Sequence, residues 1–488
     1  MLMIPIEIHP QIIPTVLIPL TAVGVAISAL ATFIAALFGI RLKAEGPKKL
    51  FEVLLKPRIL ISALLFNVFI FGGIKSYNYY KNLPSFEFVI KREQKKNEKV
   101  SNYSYPDVLE PKPAVVSKIS DPTLDLTIEQ TSKIQIEKGS FRGAILAGDT
   151  YFVSTDAGYV LEFEYGGSAP FRKFYVGTDV SPAPIIYNEK LYVGEGRHET
   201  HHARIYKFDL RSGRYEGAFS TRGHTEASAV VGLHEGQALL FAAAGSDGIY
   251  AIDPATMTEV WHQVDGHTDS SVHVSEGLVF SGTGREKNDA NSWRSYATAY
   301  EFGTGIKVWQ RELPASSWME PTEVDNDVCF VFGEVYFKSN VGGVSCYDKK
   351  TGESRMGYMH PHPVVAVPIV IEKDIIISDF VGNVCRISSE NGRVRWCKMT
   401  SEANKSFANA TYDTNLNVLV YPSRKGGLYV LNPRDGAIVA MWVPDGDEWS
   451  STLAPVAISK VGWIVTDIDQ SIRIIRATSS VSSKVSKR

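Results

Sequence analysis

Two long apolar runs set the first 75 residues apart from the rest of the chain. No charged side chain occurs in residues 12–40 or in residues 59–74. The first run exceeds the roughly 20 residues that a helix needs to cross a bilayer, and Lys75 can lengthen the second by extending its ammonium group to the membrane surface. The pattern predicts a membrane anchor at residues 1–75, with transmembrane helices at about 12–40 and 57–76. A buried helix of a soluble domain is the alternative for the second run.

Basic residues around the two runs predict the orientation of this anchor. No Lys or Arg precedes the first run, whereas the loop between the runs carries Arg41, Lys43, Lys48, Lys49, Lys56 and Arg58. Basic residues next to a membrane helix favour the cytoplasmic side. Lys75, Lys81 and the basic residues at 91–99 follow the second run and argue for the opposite orientation, but most of them lie farther from the membrane. We therefore expect a bacterial inner-membrane protein whose C-terminal part lies in the periplasm.

The pattern turns polar after the second run. Residues 76–130 include Pro106, Pro111, Pro113 and Pro122 and the charge-rich run at 91–99. This composition predicts a linker or stalk. Its basic run is interpreted as part of a solvated tether, with contact to anionic lipid head groups as the alternative. The Ser- and Lys-rich residues 479–488 predict a flexible tail.

Short alternating segments separated by turn residues fill residues 131–478. Several end in an acidic residue, two spacers, Thr-Gly or a substitute, and a Trp four residues after the Gly, as from Glu301 to Trp309. A period of about 40–48 residues is typical of a repeat architecture, and strands between turns are typical of a propeller. The acidic position recurs with this period at Glu164, Asp209, Asp253, Glu301, Asp348, Ser388, Asn432 and Arg476.

Each repeat has room for four strands, but the last one supplies only three before the tail. Residues 132–137, just ahead of the first repeat, alternate correctly to supply the missing strand. Pairing the two ends in this way hides the open sheet edges. We predict an all-β fold, an eight-bladed β-propeller at residues 131–478, preceded by the two transmembrane helices. Seven blades are the alternative if the first or last motif is spurious.

Each element of the motif has a physical reason. The acidic side chain can accept hydrogen bonds from backbone amides of the following turn, and Gly tolerates the positive φ of a tight hairpin. The Trp is then expected to cover the junction between neighbouring blades with a large apolar contact.

Composition narrows the classes of function. Hydrophobic residues make up 44% of the chain and charged residues 21%, which excludes a wholly disordered protein. The net charge is −2, so no overall positive field is available to hold a nucleic-acid backbone. We expect protein partners, and membrane lipid around the two helices.

The recurring strand, Asp-x-x-Thr-Gly turn and Trp resemble the quinoprotein-like (pyrroloquinoline-quinone-type) repeat family of β-propellers. The overall plan of an anchored ring is similar to the propeller subunits of outer-membrane β-barrel assembly machineries. Some members of the wider family are dehydrogenases, and the resemblance implies that these carry an adjacent cysteine pair over the quinone, a Ca²⁺ site and a Trp floor. No two of the four cysteines here are adjacent. We therefore predict no cofactor and disfavour pyrroloquinoline quinone.

The cysteines allow a second interpretation. Cys385 and Cys397 lie on either side of the Asn391-Gly392 turn, where they can face each other across a hairpin. In an oxidising periplasm the pair can form a disulfide. Two small buried hydrophobic side chains are the alternative.

One group of residues carries candidate chemistry. In a propeller the innermost strand begins at one mouth of the central channel, so residues just before these strands are expected to converge there. Imidazole and carboxylate groups can ligate Zn²⁺ or another divalent ion, or bind a peptide or small polar ligand. Alternatively they only satisfy each other and the strand ends. The group comprises His198, Glu199, His201, His202, His224, Glu226, His267, Asp269, Trp318, Glu320, His360 and His362.

Two hypotheses of function follow. The first is a membrane-anchored periplasmic propeller that acts as a non-catalytic protein-interaction scaffold in a cell-envelope complex. The alternative is a quinone- or metal-binding oxidoreductase or sensor that uses the propeller channel. The first is favoured, because no catalytic residue can be assigned from the sequence.

Overall fold

The computed structural model describes most of the chain from Phe86 onward. The described residues are 86–110, 125–140, 142–177, 179–180, 182–197, 201–285, 294–335, 340–400, 407–423, 427–444, 454–467 and 470–479. Both predicted transmembrane helices and the tail from residue 480 lie outside them. Within these ranges, no helix combines the length and the apolar composition that a bilayer crossing requires.

The described strands form eight four-stranded antiparallel sheets, the blades of a propeller. The first strands of neighbouring blades contact each other, so these strands line the central channel. The predicted all-β, eight-bladed fold is confirmed. Blades 1 to 4 are built from β2–β5 (Ala144–Ala147, Thr150–Thr155, Tyr159–Glu164, Arg172–Tyr175), β6–β9 (Ile185–Tyr187, Lys190–Gly194, Arg204–Asp209, Tyr215–Ser220), β10–β13 (Val230–His234, Gln237–Ala243, Ile249–Asp253, Thr258–Gln263) and β14–β17 (His273–Ser275, Leu278–Gly282, Ser295–Glu301, Lys307–Leu313).

The last four blades repeat the same plan, and blade 8 takes its outermost strand from the other end of the chain. They are built from β18–β21 (Thr322–Val324, Asp327–Gly333, Gly342–Asp348, Ser354–His360), β22–β25 (Ile369–Ile371, Asp374–Ser378, Asn383–Ser388, Val394–Met399), β26–β29 (Thr411–Asp413, Val418–Ser423, Gly427–Leu431, Ile438–Trp442) and β30–β32 (Ala457–Ser459, Gly462–Thr466, Ser471–Ser479) with β1 (Leu126–Gln135).

Blade 8 closes the ring. Strand β1 pairs antiparallel with β32 from Leu126 opposite Ser479 to Gln135 opposite Ser471, with a bulge between Gln130 and Ser132. The strand ahead of the first repeat therefore completes the last blade, as the sequence predicts, but it begins at Leu126, earlier than expected. In the same blade, the buried guanidinium of Arg473 pairs with Asp467 at 3.0 Å and also reaches Oε1 of Gln130 in β1.

The Trp of the repeat motif joins one blade to the next. The indole Nε1 of Trp261 in blade 3 donates to the Phe302 carbonyl of blade 4 at 2.8 Å. Trp309 makes the same bond to the Lys349 carbonyl of blade 5 at 2.8 Å, and Trp396 to the Pro433 carbonyl of blade 7 at 3.1 Å. All three indoles are nearly buried. The expected inter-blade role of the Trp is therefore observed at three junctions.

The acidic residue of the motif caps its own turn, as expected. Oδ1 of Asp253 accepts hydrogen bonds from the amides of Ala255 and Thr256 at 2.7 and 3.1 Å. Oδ1 of Asp348 likewise accepts from Lys350 and Thr351 at 3.0 and 2.9 Å. The bonds of Asp348 fix the hairpin on which Trp309 of the preceding blade rests.

The turn needs a glycine at position 352, because the Trp309 ring packs directly against it. Gly352 has φ +65°, and a Cβ there would lie 2.5 Å from Cδ2 of Trp309. We expect Gly352→Ala to lower the free energy of unfolding by about 2 kcal/mol or more, since a left-handed conformation alone costs roughly 1–2 kcal/mol with a side chain. Urea unfolding followed by Trp fluorescence measures the loss. Gly357→Ala, where a Cβ meets nothing within 4 Å, is the matched control, and an equal loss in both variants would contradict the explanation.

Residues 86–110, here called the N-terminal strap, pack on blades 1 and 2. The strap begins with helix α1 (Phe86–Lys95), which contacts β5 and β9 and buries Ile90 and Gln94. The Gln94 amide donates to the Gly213 carbonyl at 2.7 Å and accepts from the Tyr175 amide at 2.7 Å. The sequence assigns this segment to a linker, and in the structure it lies against the ring.

The end of the strap enters the central channel. Val108 exchanges two backbone hydrogen bonds, of 2.7 and 2.9 Å, with Ile186 of the innermost strand β6. The next carbonyl, that of Leu109, accepts from the amide of Val231 in the innermost strand β10 at 2.9 Å. The strap thus pairs with the channel edge of two successive blades and brings Glu110 into the channel.

Candidate functional site

A small cavity marks the channel mouth at the end where the innermost strands begin. Its volume is about 50 Å³, and its lining comes from all eight blades. Because each blade contributes residues that lie just before its first strand, side chains far apart in sequence meet here, as predicted. The lining residues are Arg142, Ala183, Ser228, Asp269, Ser271, Trp318, Met319, Glu320, Val367, Asn409 and Pro455.

Two histidines share one carboxylate at this mouth. Nε2 of His224 lies 2.7 Å from Oδ1 of Asp269, and Nε2 of His267 lies 2.9 Å from Oδ2. Both rings are buried, and their centroids are 5.4 Å apart. Burial raises the pKa of Asp269, but the hydrogen bonds from the two imidazoles outweigh it, so the net pKa lies well below its ordinary value. Asp269 is therefore ionised across the physiological range.

A buried guanidinium faces this group. Nη2 of Arg142 donates to the Glu226 carbonyl at 3.3 Å. Burial lowers the pKa of Arg142, while the charges of Glu226, Asp269 and Glu320 act in the opposite direction. Three carboxylates therefore surround one cation in this part of the channel mouth.

A second cluster lies where the strap ends. The ligand atoms of Glu110, His273 and Glu320 lie within 4.8 Å of one another. Nε2 of His273 is also 3.0 Å from Oε2 of Glu323. Glu323 in turn accepts a hydrogen bond from Nζ of Lys349 at 2.6 Å. The strap thereby joins a charged network that spans blades 4 and 5.

The Glu323 carboxylate is expected to stabilise the fold near neutral pH and to lose this contribution in acid. Burial raises its pKa, but hydrogen bonds from His273 and Lys349 outweigh this and lower the pKa from 4.5 to about 2. A carboxyl whose pKa is depressed by folding stabilises the fold above its unfolded pKa and loses that contribution as the pH falls toward the folded value. We expect Glu323→Gln to flatten the fall in unfolding free energy between about pH 5 and pH 2, measured by urea unfolding at several pH values. Glu235→Gln, at a side chain that is 86% exposed, is the control and should leave the slope unchanged.

The other predicted residues have different positions. His201 and His202 are exposed on the loop after β7, and His198 and Glu199 lie outside the described residues. Trp318 stands edge-on to His267, with a centroid distance of 6.1 Å. It lines the mouth cavity together with Glu320.

His360 and His362 are not among the residues that line the mouth cavity. His360 ends the outermost strand β21, where its Nε2 lies 2.8 Å from Oδ2 of Asp379 in blade 6 and its Nδ1 lies 2.9 Å from the Tyr358 hydroxyl. His362 follows in the connection between the two blades, its ring 6.0 Å from that of His360. This pair lies at the junction of blades 5 and 6.

Sequence reasoning missed Arg142, Glu110 and His273. Arg142 lies just before β2, as Ser228 and Trp318 lie just before β10 and β18, so a search of all eight blade starts for charged residues would have found it. Glu110 and His273 carry no such signal, since they meet only because the strap enters the channel.

All four cysteines are paired in disulfides. Cys385 and Cys397 face each other across β24 and β25, with Cα atoms 4.1 Å apart. Cys329 and Cys346 form a second disulfide across β19 and β20, with Cα atoms 4.0 Å apart. The disulfides lie in the adjacent blades 5 and 6.

Comparisons with known proteins agree with this architecture. A family model described as "Outer membrane protein assembly factor BamB" matches residues 293–443. The crystal structure of BamB from Moraxella catarrhalis superposes with a TM-score of 0.55 at 14% identity, covering 72% of this chain and 100% of that one. A computationally designed protein, Ika8, superposes with a TM-score of 0.53 at 11% identity, covering 72% and 99%. No curated protein sequence matches the chain. The described part of the chain is thus an eight-bladed β-propeller whose fold resembles that of BamB, and its residues 293–443 match the BamB-type repeat model.

Proposed function

We propose that this protein is a membrane-anchored, non-catalytic scaffold whose propeller binds protein partners of a bacterial cell-envelope complex. The observation that carries the proposal is that side chains and the strap leave little free space in the described part of the channel. The mouth cavity of about 50 Å³ is far smaller than the roughly 300–1,000 Å³ of small-molecule sites, and the strap pairs with the channel edge of blades 2 and 3. This favours binding on the outer surface over the quinone-dependent alternative.

The outer rim supplies the surface for such contacts. The fourth strand of a blade is its outer edge, and several of these strands expose large apolar side chains. Met359, Met399 and Met441 on blades 5, 6 and 7 are 60%, 52% and 53% exposed. Methionine adapts to varied partners, and an open strand edge can pair with a partner strand. Helix α1, seated on β5 and β9, already shows how a helix packs on this rim.

A groove between blades 3 and 4 is a candidate docking place. Its volume is about 600 Å³, and its lining combines the apolar Leu278, Ile306 and Val308 with charged residues such as Glu276 and Lys307. Ile306 is 62% exposed. Exposed apolar side chains beside charged ones suit a peptide segment of a partner protein.

Membrane anchoring and a periplasmic propeller are part of the proposal. Two apolar runs and a basic loop between them support an anchor with both ends outside the cytoplasm. The two disulfides support an oxidising compartment. An alkaline-phosphatase fusion at the C-terminus tests the orientation: activity is expected, and a stably expressed but inactive fusion would contradict it.

Partner binding is tested on the groove itself. A photo-crosslinking amino acid at position 306 of the full-length protein should give discrete adducts in intact cells, whereas the same residue at the exposed polar position 325, in the turn between β18 and β19, should not. Ile306→Glu should abolish co-purification of the adduct partner from detergent extracts without changing the melting temperature. Equal adducts at both positions, or none at either, would overturn the scaffold proposal. Dye-linked turnover with added quinone and Ca²⁺ would favour the oxidoreductase instead.

A further inference from the structure

We propose that His224, His267 and Asp269 bind one divalent transition-metal ion of the Zn²⁺ class at the channel mouth. One ligand atom from each residue lies within 4.8 Å of the others. The site joins two blades, because His224 precedes β10 of blade 3, whereas His267 and Asp269 precede β14 of blade 4. It is separate from the rim surface of the scaffold proposal.

The backbone holds the three ligands in place. Thr268 and Gly245 exchange two hydrogen bonds of 3.0 Å, which tie the loop carrying His267 to blade 3. The Gly284 amide donates to the His267 carbonyl at 2.7 Å and fixes the same loop on its other side. Gly245 has φ +56°, and a Cβ there would lie 2.5 Å from Cε1 of His224, so this glycine makes room for the ring. Ligands fixed before binding lose little entropy when the ion enters.

The donor set matches the chemistry of zinc. Two imidazoles and one carboxylate are the protein ligands of open zinc sites, whose fourth position holds water or another ligand. Both Nε2 atoms already face the Asp269 carboxylate, at 2.7 and 2.9 Å. To bind the ion through Nε2, each neutral imidazole carries its proton on Nδ1, and a protonated ring releases one proton to solvent. Metal affinity should therefore weaken as the pH falls.

Charge and space favour an ion of charge +2. Around the site, the carboxylates of Glu226, Asp269 and Glu320 act on the guanidinium of Arg142. Carboxylates beside the two imidazoles favour a divalent cation. Asp269 also lines the 50 Å³ mouth cavity, which has room for an ion-bound water.

Metal titration of the full-length protein in detergent tests the site. After treatment with a chelator, Zn²⁺ is titrated by calorimetry, and Co²⁺ by its visible absorption. One equivalent should bind the wild type, and His267→Ala and Asp269→Asn should each weaken the affinity at least tenfold. His360→Ala, which breaks another buried His–Asp pair, and the double variant His201→Ala/His202→Ala, which removes the exposed histidines, should bind as tightly as the wild type.

Several outcomes overturn the proposal. They are no binding to the wild type, unchanged affinity in Asp269→Asn, or loss of binding in the His201→Ala/His202→Ala control. X-ray absorption of the Zn²⁺-loaded wild type keeps the test decisive if the site variants fail to fold. Two imidazole ligands are expected, and a coordination shell with fewer than two contradicts the site. Rim crosslinks should persist after chelation, so failure of the metal site is distinguishable from failure of the scaffold proposal.

Discussion

Replacing Arg172 by methionine is expected to lower the free energy of unfolding by about 3–5 kcal/mol, because it leaves a buried carboxylate without its cation. The Arg172 and Glu162 side chains are fully buried, and Nε of Arg172 donates to Oε2 of Glu162 at 2.7 Å. The same guanidinium donates to the Leu210 carbonyl at 2.6 Å and to the Tyr105 hydroxyl at 2.9 Å. One side chain thus bonds blade 1, the β8–β9 turn of blade 2 and the strap.

The strap provides the specific readout for this variant. We expect hydrogen exchange at residues 99–105 to accelerate in Arg172→Met, since the Lys99 carbonyl and the Tyr105 hydroxyl both lose their donor. Arg473→Met, which breaks a buried pair inside blade 8, is the matched control. It should destabilise the ring without this faster exchange. Equal exchange in the two variants would show that Arg172 does not hold the strap.

Acid should partly rescue the Arg172→Met variant. Burial raises the pKa of Glu162 above its ordinary value even with Arg172 present. Removing the guanidinium raises the pKa further, so the neutral acid becomes the favoured buried form as the pH falls. The difference in unfolding free energy between variant and wild type should therefore shrink from pH 7 to pH 5. A difference that grows over this range would contradict a buried carboxylate as the cause.

Removing both disulfides has the second large expected effect. They close chain segments of 17 and 12 residues, and loops near 15 residues contribute about 3 kcal/mol each through the unfolded state. A variant with all four cysteines replaced by alanine should lose about 4–6 kcal/mol of unfolding free energy. Urea unfolding of the oxidised wild type against the variant measures the loss, and a loss below about 1 kcal/mol would contradict the contribution.

Single replacements distinguish the two disulfides. Cys397 lies on an exposed position of β25, whereas Cys329 is buried. Cys385→Ala should leave a Cys397 thiol that alkylates quickly in the native state, and Cys346→Ala a Cys329 thiol that alkylates only after unfolding. The wild type, with its four cysteines paired, should incorporate no label. Label on the native wild type would show that at least one pair is reduced.

The ring could be predicted from the sequence because its signals are local and repeated. The turn from Glu301 to Trp309 carries its cap, its glycine and its inter-blade contact within a few residues. The inter-blade contact is the hydrogen bond from the Trp309 indole to the Lys349 carbonyl of the next blade. The docked strap could not be predicted, since Ile90, Tyr105 and Val108 are separated by polar residues and by Pro106. Their burial depends on partners in β5, β6 and β9 that no local pattern indicates.

The candidate site likewise contains residues that the sequence predicts and residues that it does not. His224 and His267 could be placed at the channel mouth because each precedes the first strand of its blade. His360 ends the outer strand β21 and is not among the described residues that line the mouth cavity, because the strand continues up to this position. Arg142 and Glu110 enter the site through contacts between distant segments. Spacing alone does not predict such contacts.

The closure of blade 8 also dictates an order of assembly. The Thr131 hydroxyl in β1 bonds the Ile474 carbonyl in β32 across a separation of 343 residues. During synthesis β1 leaves the ribosome before the strands of blades 1 to 7, and its partner β32 follows them, so seven blades can stack before the ring locks. Such a distant pairing forms late, because closing a long loop costs the chain conformational entropy. Until then β1 and the growing end both present open strand edges, and this interval is when the nascent protein is most prone to mispairing.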